Sequence, residues 1–331
     1  MPFAQIIGHA KSIELLRRAV SRRSVPQSLL FAGPDGVGKR AVALALAQAV
    51  NCPNQRDGDA CGTCPVCRRI AAGTFFDVVL LDKGDQASIR IDPLRDKVLG
   101  VVGYRPFEGA RRVFIIDPAD ELVVQAQDAL LKTLEEPPAS AVIILVSAYP
   151  DTLLTTIRSR CRRLRFGALS DEEVSRVLMT GEPAMAAAEA RRRASVSGGS
   201  VSRALAIDQK AFESDRDAAF NLLAAAQSSS VPARLKASAA FAQVEKKRRV
   251  REAAALRLAI LSSFLRDLMM LDARQGHTLA NVDLADELAR MTPAFNAPRL
   301  IAAFAAVRQA EASIDRNASP KIVADWLAVT L

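Results

Sequence analysis

Residues 33–40 read GPDGVGKR, a complete G-x-x-x-x-G-K pattern from Gly33 to Lys39 followed by Arg40, where a Ser or Thr hydroxyl would meet Mg²⁺. In such a loop successive backbone N–H groups surround a β-phosphate, a helix N-terminus adds its positive end, and the lysine reaches the outer phosphates. Gly33, Gly36, Gly38 and Lys39 supply those parts. Arg40 does not supply the next one: a guanidinium is a permanent cation with no lone pair to offer, so it cannot ligate Mg²⁺ and repels it. The other half of a hydrolysing site is an acidic pair at the end of a neighbouring strand, where Asp holds the metal's water shell and the following Glu polarises the attacking water. Here VFIID ends in Asp117 and the next residue is Pro118, which has no proton to take or give. Asp120 and Glu121 lie further along the turn and would need a different backbone path to substitute. Gly33, Gly36, Gly38, Lys39 and Asp117 are therefore expected to form a degenerate nucleotide site. ATP binding is left in doubt, and hydrolysis is not expected.

A second constellation follows at once. Cys52, Cys61, Cys64 and Cys67 read C-x8-C-x2-C-x2-C, four of the five cysteines within sixteen residues. In a cytosolic chain that clustering points to metal rather than disulfides. Four thiolates at these spacings can close a tetrahedral shell on Zn²⁺. With all four positions filled by protein and none left for water, the expected role is a structural clip, worth about 10–16 kcal/mol in small finger peptides. Free or redox thiols are the alternative. Cys161 stands apart and reads as an ordinary buried thiol.

The third candidate is RSRCRRLR at 158–165, five arginines in eight residues. One use for such an arginine is to reach the ATP of a neighbouring subunit, where a guanidinium at the γ-phosphate accelerates cleavage roughly 10³–10⁵-fold. Arg160 is the candidate for that role. The alternative is a solvated or DNA-facing basic edge. A second basic run, EKKRRVRE at 245–252, sits on an expected helix and reads as exposed surface.

These groups need a scaffold. SLLFA at 28–32 is a short buried-strand run that leads into the glycine loop and then an Ala/Leu-rich helix from about Lys39 to Asn51. Further apolar runs at 77–81, 112–116 and 142–147 alternate with helical periodicity such as 122–135, which implies a parallel sheet covered on both faces. After Phe166 the strand signals stop. SDEEV at 170–174 looks like a capping box with Ser170 as N-cap and Glu173 three residues on. A small helical unit is expected to about Ile207, and helical text broken near Pro232, Pro293, Pro298 and Pro320 runs to Leu331. At 331 residues, two or three domains are expected, divided as 1–167, 168–208 and 209–331. Half the residues are apolar and only 5% aromatic, which suits packed helices better than a β-sandwich.

The 45 Lys and Arg against 36 Asp and Glu give a net charge of +9, in keeping with an acidic partner such as nucleic acid or nucleotide, or with a basic solvated surface. The N-terminus MPFAQIIGHAKS lacks the basic start and apolar stretch of a signal peptide, and no run approaches the ~18 apolar residues of a bilayer span. A cytoplasmic location with no membrane partner is expected.

In order and spacing, the P-loop, the cysteine module directly after it, ALLKTLEEPP at 129–138 and SRC at 159–161 resemble the bacterial clamp-loader AAA+ subunits of DNA polymerase III. The resemblance covers residues 1–207 and is most specific at TLEEPP and SRC; beyond that it rests on length and composition. It implies a RecA-like α/β AAA+ domain carrying a zinc module, a small helical lid, and an all-α C-terminal collar that joins a five-subunit ring. The family contains ATP-hydrolysing subunits, tau/gamma, and a non-hydrolysing one. Hydrolysing members carry GKT or GKS and a strand ending in Asp-Glu, so Arg40 and Pro118 point to the non-hydrolysing kind. The implied partners are tau/gamma and delta, and through the complex the β sliding clamp and primer-template DNA. Arg160 would then complete the ATP site of an adjacent tau/gamma subunit. The sensor-2 arginine of the motors would fall near Ser202, one position from Arg203, and Ser147 falls near sensor 1. A motor subunit of the same family and an unrelated P-loop enzyme such as a nucleotide kinase are the competing readings. Such kinases need neither SRC nor a four-cysteine insert.

Overall fold

The computed structural model describes all residues except 182, 244–249 and 274–278, so 245–249 of the second basic run lie outside the described residues. The chain divides into two compact units, Met1–Leu169 and Ser170–Leu331.

In the first unit, α1 (Ala10–Ser21) precedes β1 (Ser28–Ala32), which is followed by α2 (Lys39–Asn51) and α3 (Pro65–Ala71). Next come β2 (Val78–Leu81), a short α4 (Ile91–Leu94) continued by a π-turn over Arg95–Leu99, β3 (Arg112–Ile116) and α5 (Val124–Glu135). The unit ends with β4 (Ala141–Ser147), α6 (Thr155–Arg160) and β5 (Arg162–Arg165). The five strands form one parallel sheet in the order β2-β3-β4-β1-β5. Strands buried on both faces read as unbroken apolar runs, and β1 and β4 are buried at every position. Alternate side chains feed two cores. Leu29, Phe31, Val113, Ile115 and Ile144 pack with α1 and α2 on one face; Leu30, Phe114, Ile116, Ile143 and Leu145 pack with α5 and α6 on the other.

The fifth strand was not expected from the sequence. In RRLR only Leu164 is buried, so β5 has no apolar run to betray it. It pairs with β1 alone, which leaves its other side as an edge where charged side chains are tolerated.

The end of the sheet opposite the P-loop is organised by Asp77. This fully buried carboxylate accepts backbone N–H bonds from Phe107 (2.9 Å), Glu108 (2.9 Å) and Gly109 (2.8 Å), with the Arg112 guanidinium 3.5 Å away. Burial pushes its pKa up, but the three N–H donors and Arg112 together outweigh that and hold it below its ordinary 3.8.

Every regular element among the described residues of the second unit is a helix. The unit contains α7 (Asp171–Thr180), α8 (Ala187–Val196) and α9 (Val201–Leu205), then α10 (Gln209–Ala225), α11 (Val231–Ala242), α12 (Val250–Asp272), α13 (Ala285–Met291), α14 (Ala297–Asp315) and α15 (Pro320–Thr330). The capping box at α7 is formed in both directions: Glu173 N–H donates to Ser170 Oγ at 3.2 Å and Ser170 N–H donates to Glu173 Oε2 at 2.9 Å. Pro232, Pro298 and Pro320 sit in the first turns of α11, α14 and α15, where the missing N–H has no helical partner to lose, so these prolines start helices. Leu258, Leu261, Phe264 and Leu268 of α12 pack against Leu300 and Val307 of α14 and Leu327 of α15. Within this core Arg257 is 4% exposed; its Nε donates to buried Asp215 at 2.7 Å and its Nη1 to the carbonyls of Phe241 and, at 2.8 Å, Gln243.

Two outcomes follow. Arg257→Ala breaks a buried ion pair and removes the guanidinium's bonds to the Phe241 and Gln243 carbonyls, and is expected to lower unfolding free energy by about 3–5 kcal/mol, read as a shifted denaturant midpoint at unchanged slope. For Asp77 the depressed pKa means a stabilisation fully present above 3.8 and lost as pH falls through the lowered value. Asp77→Asn should therefore cost about 1–3 kcal/mol at neutral pH, a deficit that narrows toward the acid limb of a pH-stability curve.

Candidate functional site

The glycine loop turns between the C-terminal end of β1 and the N-terminus of α2. Gly36 (φ 72°) and Gly38 (φ 102°) adopt the left-handed conformation that lets the chain curl back on itself. Gly33 is needed for proximity: a Cβ there would lie 2.0 Å from the Phe166 carbonyl oxygen. Lys39, 5% exposed, donates from Nζ to the carbonyls of Gly33 and Pro34, each at 2.6 Å. Burial lowers its pKa, opposed by Asp35, Asp117 and Asp120.

Across the loop, at the end of β3, Arg40 donates to Asp117 from Nε, and from Nη2 to the Asp117 carbonyl at 3.3 Å. Burial raises the Asp117 pKa, and the Arg40 guanidinium counters it. A fixed cation thus stands against the carboxylate that would hold a metal's water shell. The two carboxylates that follow Asp117 along the turn are also engaged. Asp120 accepts the Ala148 N–H at 2.9 Å, and Glu121 accepts from Lys83 Nζ at 2.9 Å. Ser147 ends β4 beside the loop, fully buried, with its carbonyl accepting the Gly33 N–H at 3.2 Å. Arg203 lies in α9 of the second unit, where its Nη1 reaches the Ser197 carbonyl at 3.4 Å.

The four cysteines converge. Cys52 caps the C-terminus of α2, Cys64 is the N-cap of α3, and Cys67 lies in its first turn. All four sulfurs lie within 4.8 Å of one another, with Cys52 Sγ 3.6 Å from Cys61 Sγ and 3.9 Å from Cys64 Sγ. A tetrahedral shell with bonds of about 2.3 Å has edges of about 3.8 Å, so the residues present fit a metal ion. Backbone N–H groups of Cys61, Cys64 and Cys67 each point at the preceding cysteine's sulfur at 3.4 Å, a pattern that favours thiolate charge. The N–H groups of Cys64 and Thr63 pull Cys61 down to about 6, while burial pushes Cys52 and Cys67 up. The module is pinned to the N-terminus: Asp59 accepts the Phe3 and Ala4 N–H groups at 2.8 Å, and Gln48 links the Met1 amine (2.9 Å) to the Cys67 carbonyl (2.7 Å). Cys161 is isolated, and burial pushes its thiol up to about 12.

Arg160 is the last residue of α6. Its Nη2 lies 2.7 Å from Glu135 Oε1, at the end of α5, and its Nη1 donates to the Thr156 carbonyl at 3.0 Å. Arg158 pairs with Asp151 at 2.5 Å. Sequence reasoning did not find the partners of Arg40 and Arg160. Arg40 and Asp117 are 77 positions apart, but TLEEPP, already conspicuous, held the signal for Glu135.

Among the described residues no helix is long and apolar enough to cross a membrane. Residues 8–170 match the family model described as DNA polymerase III, delta subunit. Over 133 residues the chain is 42% identical to DNA polymerase III subunit delta' of Pseudomonas aeruginosa, covering 40% of each chain. Over 172 residues it is 35% identical to subunit tau of Salmonella typhimurium, covering 52% of this chain and 26% of that relative. The chain thus spans well under half the length of these curated relatives. A solved gamma subunit-related protein of Thermotoga maritima is similar over 95% of this chain and 99% of its own, with 18% identity and a TM-score of 0.41. Residues 8–170, the segment that holds the P-loop, the cysteine module and the SRC motif, match the clamp-loader family of DNA polymerase III.

Proposed function

We propose that the chain is a delta prime-type subunit of a DNA polymerase III clamp loader, an AAA+ protein that does not hydrolyse ATP itself and acts on a neighbour. The observation that carries this reading is the Arg40–Asp117 ion pair, a guanidinium lodged against the carboxylate where Mg²⁺ would be held. Pro118 removes the water-polarising carboxylate, and Asp120 and Glu121 are committed to Ala148 and Lys83. A subunit whose own pocket is closed in this way contributes what it offers across an interface. That is Arg160, presented at the end of a short helix, to the γ-phosphate of ATP on an adjacent tau/gamma subunit. A domain that need not close on its own nucleotide makes a stiff platform for such an arginine.

The partners in this reading are tau/gamma and delta, with the β sliding clamp and primer-template DNA engaged through the complex. Residues 1–167 serve as the AAA+ domain, 168–208 as a helical lid and 209–331 as the collar. Cys52, Cys61, Cys64 and Cys67 hold one structural Zn²⁺, which when bound supplies a cross-link between the end of α2 and α3. The competing reading, an ATP-hydrolysing tau/gamma-like motor, draws on the 35% identity to tau and on the intact Lys39, but it requires a metal-binding hydroxyl and a base that this pocket lacks.

Three measurements test the proposal. The purified chain with Mg²⁺-ATP should show turnover indistinguishable from background, and robust Mg²⁺-dependent hydrolysis would establish the motor reading instead. In a complex reconstituted with tau/gamma and delta, Arg160→Ala should leave assembly intact and slow hydrolysis at the site it serves by roughly 10³–10⁵-fold; unchanged turnover would remove the trans role. Metal analysis should return one zinc per chain, and chelation or Cys64→Ser should lower the thermal midpoint, while a metal-free, equally stable preparation would contradict the zinc assignment.

A further inference from the structure

We infer that Glu135 is the positioning residue for Arg160, an inference that rests on the trans role proposed above. Arg160 ends α6 with its side chain two-thirds covered, and its two terminal nitrogens are committed to different anchors. Nη2 meets Glu135 Oε1 at 2.7 Å; Nη1 meets the Thr156 carbonyl at 3.0 Å and Ser159 Oγ at 3.4 Å. An unrestrained arginine samples many rotamers, whereas a charge-assisted bond to a carboxylate fixes the plane of the guanidinium. The anchor is itself held. Glu135 is the last residue of α5, which stops at Pro137 and Pro138, and α5 is tied to the start of α6 by buried Gln127, whose Oε1 accepts the Leu154 N–H at 2.9 Å and whose Nε2 donates to Leu122 at 3.1 Å. Leu130, Leu134 and Ile157 pack the two helices into one core. Gln127 and Glu135 therefore brace α6 at its two ends, and the second brace ends on the guanidinium.

Glu135 is half exposed and Arg160 one-third exposed. Ion pairs this open to water contribute little to folding, so the carboxylate acts on the direction of the arginine more than on the stability of the domain. Glutamine at 135 keeps an oxygen in place to accept the Nη2 bond while removing the charge. Alanine removes both.

The test uses the complex assembled with tau/gamma and delta, reading kcat and KM for ATP. Glu135→Ala should carry kcat toward the Arg160→Ala level at unchanged KM and unchanged thermal midpoint of the isolated subunit. Glu135→Gln should restore most of kcat, and Glu135→Ala added to Arg160→Ala should change nothing further. If Arg160→Ala slows the complex but Glu135→Ala leaves kcat alone or raises it, or if Glu135→Ala still lowers kcat in the Arg160→Ala background, the positioning role is overturned while the trans arginine stands. Failure of glutamine to rescue would overturn it equally. If Arg160→Ala itself is silent, both fall together.

Discussion

The ion pair between Arg40 and Asp117 sets the terms for the rest of the first unit. A phosphate-binding loop ordinarily balances three charges: a lysine, a divalent cation and an acidic strand end. Here the chain supplies the second cation covalently, on the helix that the loop opens, and the acidic strand end is consumed by it. Lys39 turns inward onto two loop carbonyls. The loop keeps its glycines because its shape is still required, with Gly33 passing so close to Phe166 that no side chain fits. What remains is the geometry of a phosphate-binding loop with its strand-end carboxylate already paired from within.

That internal satisfaction recurs around the unit. Asp77 draws three backbone N–H groups onto one carboxylate, Asp59 fastens the N-terminal residues to the cysteine module, and Gln127 spans two helices. Each is a buried polar group with at least one bond to a chain segment distant in sequence. Such groups cost several kcal/mol if left unpaired and so fix one arrangement of the elements they join. A rigid frame of this kind suits a protein whose proposed contribution is to hold one arginine still.

Much of this was legible in the sequence because the signals are local. The P-loop helix over 39–51, four of the five strands, the four-cysteine constellation and the Ser170/Glu173 cap all depend on residues within a few positions of each other. What escaped depends on distance or on the absence of a pattern. β5 contributes one buried leucine among arginines and is a strand only because β1 is beside it. The partners of Arg40, Arg160 and Asp77 lie 77, 25 and about 30 positions away, and no periodicity connects them. The prolines of the second unit were visible, but whether proline starts or breaks a helix is decided by which turn it occupies.

The arginine-rich β5 has a consequence of its own. The last strand of an open sheet is a row of free amides and carbonyls, ready to accept any extended peptide that comes alongside. Here Arg162, Arg163 and Arg165 stand exposed along that row. Two molecules meeting edge to edge would bring six like charges together, an electrostatic penalty against continuing the sheet through this edge.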